Sequence, residues 1–267
     1  MEKRSCGSLA VKGEKCMSRS PFQGVVTVVR FNWHFYLFAL MGVIVLLTVA
    51  LICSGWISLL SWLAALGVLL TTVMSLVATY LAYDGSRLYR LDWLAPHLPE
   101  QGAGANIHAG FDETTALLRA CYPGIVWGVY DFYDPKKHTE VSIQRARKAQ
   151  PPEAGTIAHA TDCFPADDDS LDVILLTLAA HEIRDHRERV DYFRDLRRSL
   201  KPGGLIVVTE HLRDLQNLIA YNLGAFHFHT AGVWLKTFRE AGLTVTGTSR
   251  TAPLITTFVL TDHEDDS

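Results

Sequence analysis

From Phe31 to Tyr83 the chain runs for 53 residues without an Asp, Glu, Lys or Arg. Roughly 20 apolar residues cross the hydrocarbon of a bilayer once, so this stretch is long enough for two crossings. Backbone groups in lipid have no water partner and must be satisfied within helices. The expectation is therefore a transmembrane helical hairpin over residues 31–83, with spans near Trp33–Cys53 and Trp56–Tyr83 and a break at Cys53-Ser-Gly-Trp56. A cleaved leader would carry a shorter apolar core, nearer the N-terminus.

Charge sets the orientation. Residues 1–30 carry Lys3, Arg4, Lys12, Lys15, Arg19 and Arg30 against Glu2 and Glu14, and Arg87 and Arg90 follow the second span. Basic flanks favour the cytoplasmic side, so both termini and the domain after the hairpin are expected there, in an integral membrane protein. Residues 1–30, without a clear helical apolar pattern, read as a flexible basic N-terminus, and residues 84–100 as a juxtamembrane linker. Within that linker Ser86–Leu94 mixes cations with Leu, Tyr and Trp, which suits either the headgroup region or packing on the domain. Residues 84–267 hold 19 basic and 26 acidic side chains, a balance that gives nucleic-acid binding no support. The cysteines Cys6, Cys16, Cys53, Cys121 and Cys163 form no C-x-x-C pair, which suits a reducing compartment without zinc or a disulfide framework.

Residues 101–267 read as the soluble domain, with Gln101–Ala105 as its flexible edge. Short apolar runs at 106–109, 125–130, 156–160, 172–178 and 205–209 alternate with helical patterns at 113–121, 139–149 and 185–200. This rhythm specifies a parallel sheet with helices on both faces. The run Asp172–Leu178 is continuously apolar, as a strand buried on both faces requires. Pro202-Gly-Gly204 should end the third of these helices and turn the chain into the fifth strand. Helices at 213–223 and 232–241 and a strand pair at 243–248 and 254–260 complete a seven-stranded, mostly parallel, Rossmann-like α/β fold.

Open sheets of this kind bind ligands at the carboxyl ends of their strands. Asp131, closing the second strand, can accept both hydroxyls of a ribose, with Phe132 beside it. Asp162, after the third strand, can accept from an adenine amine, with Cys163 and Phe164 walling the ring and Leu178 at the tip of the fourth strand. His181, Glu210 and His211 follow the fourth and fifth strands, and a histidine there suits a general base because its charge changes near neutral pH. His211, His227 and His229 lack a fourth ligand at telling spacing, so no metal is expected.

The segments ATDCFPADDDSLDVI, LAAHEI and LKPGGLIVVTE, with an AGL-strand-strand ending, resemble the class I S-adenosylmethionine-dependent methyltransferases, particularly the ubiquinone and menaquinone C-methyltransferases. The resemblance covers roughly residues 100–262. It implies S-adenosylmethionine as cofactor and methyl transfer as reaction. In place of the family's glycine-rich first loop this chain has His108-Ala-Gly110-Phe-Asp112-Glu-Thr114; His108, Gly110, Asp112 and Thr114 would hold the methionine end, Asp112 against its ammonium. Asn217, Tyr221, Phe226 and Phe228 fall where that family builds its acceptor pocket. The anchor points to a hydrophobic acceptor from the bilayer, an isoprenoid quinone precursor or a lipid. Two alternatives are a noncatalytic membrane-tethered interaction module and a nicotinamide-dependent oxidoreductase, the latter without a G-x-G-x-x-G.

Overall fold

A computed structural model describes residues 19–263; the basic arm before Arg19, with Cys6 and Cys16, and the last four residues lie outside the described residues. Helices α1 (Gln23–Ile52) and α2 (Gly55–Thr79) pack on each other, parting at Cys53-Ser54. Their outer faces are bare, with Ile52 and Trp56 each 79% exposed. Both are long and apolar enough, by length and composition, to cross a membrane.

Helix α1 starts ten residues before Trp33, so residues 23–30, expected as part of the flexible arm, are helical. The reason lies at the other end of the hairpin, where the Asp84 carboxylate accepts from the amides of Gly24 (2.7 Å) and Val25 (3.0 Å), satisfying free N-terminal donors. Gly24 is needed for this approach, since a Cβ there would fall 2.5 Å from Cβ of Tyr83. At Asn32 the helix kinks, and Arg145 of the soluble domain donates to the Phe31 carbonyl at 2.7 Å.

After α2 the chain widens into a π-type turn, Tyr80–Asp84, followed by 3₁₀ turns Leu88–Arg90 and Asp92–His97. Leu88, Leu91 and Leu94 are at most 2% exposed, so of the two expectations for Ser86–Leu94 the structure takes packing on the domain. Their apolar area is removed from water against protein, which leaves none for a headgroup layer.

The soluble domain is a seven-stranded sheet in the order β3-β2-β1-β4-β5-β7-β6. Its strands are β1 (Gly102–His108), β2 (Ile125–Asp131), β3 (Ile157–Ala158), β4 (Leu171–Thr177), β5 (Leu200–His211), β6 (Leu243–Ala252) and β7 (Ile255–Asp262). The first five run parallel, and β7 is antiparallel to β5 and β6. Along β4, Ile174 and Leu176 join one buried cluster while Val173 and Leu175 join another, so the strand is covered on both faces. Helices α5 (His186–Arg198) and α7 (Ala231–Glu240) cover the first face; α3 (Thr115–Cys121) and the Leu91–Leu94 turn cover the second. Helices α4 (Val141–Ala149) and α6 (Leu215–Tyr221) complete the set.

Three local expectations are corrected. Residues Gly102–Ala105 are not a flexible edge but the start of β1; glycine is required at 104 because a Cβ would meet the Trp127 ring at 2.6 Å. Pro202-Gly-Gly204 does not precede β5 but interrupts it, for Leu200 already pairs with Leu171 and Gly203 takes φ +78 in an irregular register. Cys121 is disulfide-bonded, against the expected unpaired thiols, because pairing depends on Cα separation in the fold rather than on sequence spacing.

Candidate functional site

The register of the sheet brings His108 and Asp131 side by side at the tips of β1 and β2. Asp131 is 2% exposed and fully engaged: Oδ1 accepts from the amides of Gly110 (2.8 Å) and Tyr133 (3.0 Å), and Oδ2 from Arg147 of α4. Arg147 was not among the residues expected at the site. The His108 ring, 4% exposed, has no hydrogen-bond partner on either nitrogen among the described residues, its Nδ1 lying 3.5 Å from Asp131 Oδ1. Burial pushes its pKa down, against the pull of Asp131 and Asp112.

The loop after β1 is held by polar side chains. Asp112 Oδ1 accepts from the amides of Thr114 (2.9 Å) and Thr115 (3.0 Å), while buried Asn106 donates to Thr114 Oγ1 (3.0 Å) and Thr115 Oγ1 (2.7 Å). These bonds fix the path of the loop. Only Gly110 keeps left-handed backbone (φ +87), where a Cβ would fall 2.9 Å from the Tyr133 ring.

Beside this loop lies a cleft of about 380 Å³, walled by His108, Gly110, Asp112, Arg147 and Gln150. Arg19 stands at its edge, donating to Glu113 at 2.8 Å over the Tyr89 ring (3.4 Å), while the Tyr89 hydroxyl donates to the same carboxylate at 2.6 Å.

The second half of the edge is polar and buried. His181 Nδ1 lies 2.7 Å from Glu210 Oε2, its amide donates to Glu210 Oε1 at 3.1 Å, and its Nε2 is 3.4 Å from Glu182. Burial disfavours the imidazolium, but Glu210 and Glu182 outweigh it and raise the pKa to about 10, while Glu182 falls to about 2. At neutral pH His181 is therefore a cation that cannot accept a proton.

His211 is its opposite. Its Nδ1 faces two acceptors, the Leu254 carbonyl (2.9 Å) and Asn217 Oδ1 (3.1 Å), so that nitrogen carries the hydrogen. Nε2 then accepts from the Tyr83 hydroxyl at 2.8 Å, and Phe228 stacks on the ring at 4.8 Å. Burial lowers the His211 pKa to about 4, leaving it neutral. Tyr83 was read only as the end of a span.

The remaining candidates separate. Asp162 and Cys163 are exposed in the turn after β3. Phe132 and Phe164, expected beside a ribose and an adenine, are each 1% exposed and packed on one another's neighbours Tyr192 and His159. They are core aromatics, because the strand ends already close against α5. Leu178 holds a left-handed conformation (φ 53) and packs on the cluster of Leu88, Ala252 and Ile255. His229 meets Arg189 (3.1 Å), His227 faces the Gly224 carbonyl, and among the described residues no three His, Cys, Asp or Glu side chains are arranged to hold a metal ion.

Residues 135–208 match the family model described as a methyltransferase domain. Solved structures similar to this chain include one from Haloferax volcanii, described as a complex of the Trm112 methyltransferase activator with a methyltransferase (17% identity, 67% of this chain and 90% of that one, TM-score 0.49). Others are S-adenosylmethionine-dependent methyltransferases from Methanosarcina mazei (14%, 64% and 97%, 0.48) and Aquifex aeolicus (11%, 71% and 97%, 0.48). No curated protein matches the chain. The strand order and the reversed seventh strand make the soluble domain a Rossmann-like α/β fold, and residues 135–208 within it carry the match to a methyltransferase domain.

Proposed function

We propose that this chain is a membrane-anchored S-adenosylmethionine-dependent methyltransferase acting on a hydrophobic acceptor from the bilayer, an isoprenoid quinone precursor or a lipid. One observation carries the reading: the base of the apolar hairpin reaches the ligand edge of a methyltransferase fold, with Tyr83 on His211. A tether of this kind raises the effective concentration of a lipid-phase substrate. Basic residues flanking the hairpin support a cytoplasmic domain and cytoplasmic termini.

The residues fit the donor. The cleft has the volume of a small-molecule site, and the His108 ring in its wall has two nitrogens without a partner among the described residues. Asp131 holds the ribose once Arg147 leaves its carboxylate. His108, Gly110, Asp112 and Thr114 shape the methionine end, Asp162 and Cys163 flank the adenine, Phe132 and Phe164 support the strand tips from beneath, and Leu178 borders the methyl position. When bound, the donor supplies an electrophilic methyl group on a sulfonium.

Around it this chain's residues align the acceptor and handle its proton. Tyr83 passes its hydrogen to His211 Nε2 as it takes one from the acceptor, and His211, lowered by burial to about 4, holds that proton only in passing. His181, held cationic by Glu210 and Glu182, orients rather than abstracts. Incubating membranes with methyl-labelled donor and weighing the lipid extract tests this. Label in a quinone or phospholipid supports the reading, and label in water-soluble products alone contradicts the acceptor class.

A second reading, a noncatalytic tethered interaction module, is favoured by one observation, that both Asp131 oxygens already have partners within the chain. Donor binding separates the two.

A further inference from the structure

Seven large apolar side chains are exposed on described residues 84–263, and three of them, Leu215 (72%), Ile219 (52%) and Phe226 (59%), fall on α6 and the 3₁₀ turn Asn222–His227 that follows it. Leu215 and Ile219 are four residues apart and share a helix face. The opposite face is fixed to the site: Asn217 is 1% exposed, bonded to His211 and to the Leu254 carbonyl, and Ala220 is buried. The bare face therefore has no partner within the described chain, and α6 is held rigidly enough to present it.

What covers it is indicated by its neighbour. Helix α6 packs against α2, with Tyr221 beside Thr79. At that end of α2 and in the π-type turn after it Val77 (50%), Tyr80 (38%) and Leu81 (45%) are exposed, so the bare face of α6 lies beside the base of the hairpin's apolar surface. Arg213, exposed two residues before α6 and separated from it by the N-cap Asp214, adds a cation at the edge, as membrane-surface segments do.

We propose that α6 and the turn after it form a second, monotopic membrane contact, with Leu215, Ile219 and Phe226 immersed at the lipid surface beside the hairpin. This rests on the hairpin spanning a bilayer, as the proposed function holds. Its consequence is that the His211–Tyr83 pair, bonded to Asn217 on the buried side of the same helix, lies at the depth of the headgroups.

The test uses the full-length protein in phosphatidylcholine vesicles carrying a trace of phosphatidylcholine with a photoactivatable group near the top of its acyl chain. Labelled peptides are then mapped by mass spectrometry. Interfacial segments sit about 5–10 Å into the headgroup boundary, so the peptide spanning Leu215–Phe226 should be labelled roughly ten-fold above the α5 peptide carrying Asp191 and Arg194. Labelled hairpin peptides with α6 at the α5 level overturn the proposal and leave the hairpin reading standing; the face is then covered by protein. Label in neither region overturns both.

Discussion

The Tyr83 hydroxyl lies 2.8 Å from Nε2 of His211, joining the last turn of the hairpin to the tip of the fifth strand. His211 Nδ1 is committed to carbonyl and amide oxygens, so the tyrosine is the donor and the imidazole the acceptor. Tyr83→Phe would leave a buried acceptor unpaired, at a cost of about 1–3 kcal/mol. Thermal unfolding in detergent should show that loss, while donor binding stays unchanged and methyl transfer falls. Unchanged transfer would remove Tyr83 from the proton path.

Glu210→Gln should be the more damaging change. The imidazolium of His181 is buried against that carboxylate, and removing one member of such a pair costs about 3–5 kcal/mol. The expected result is a strongly lowered melting temperature, together with a His181 titration displaced toward neutral pH by NMR.

Stability should fall on both sides of neutrality. His181, raised to about 10, contributes fully below its ordinary 6.5, and that contribution is lost as pH rises through 10. His211 and His229, lowered to about 4 and about 3, contribute above 6.5 and lose it as pH falls through those values. Melting temperature against pH should therefore peak near 6.5. In His181→Asn, whose amide can still donate to Glu210, the decline between pH 7 and 9 should shrink while the acid limb persists.

The central sheet was legible because Val173–Leu176 is apolar throughout, as suits a strand covered on both faces. The start of β1 was not, since Gly102-Ala-Gly-Ala105 has the composition of a linker and its glycines are explained only by the Trp127 ring and the Asp172 carboxylate packed against them. At the site, the strand-tip positions of Asp131, His181, Glu210 and His211 follow from strand order. Their partners do not. Arg147 is one of several cations on α4, and Tyr83 the last residue of an apolar run; each meets its partner through tertiary packing that no local spacing encodes. Phe132 and Phe164 show the converse ambiguity, since an aromatic at a strand end looks the same in sequence whether it faces a ligand or the core, and both are buried here.

Arg147 donates to the Asp131 carboxylate that the proposed function assigns to the ribose, so on that proposal the two compete. Arg147→Gln should therefore tighten binding of S-adenosylhomocysteine by roughly ten-fold, the effect of about 1.4 kcal/mol. Weaker binding would instead make the guanidinium a ligand of the cofactor.

Calorimetric titration of the full chain with S-adenosylmethionine, beside Asp131→Asn, tests the account most directly. The account expects saturable binding by the native protein and at least about a ten-fold loss in the variant, since a carboxylate gripping two hydroxyls loses a charge-assisted bond. A folded native protein that binds no donor, or a variant that binds it equally well, would contradict it.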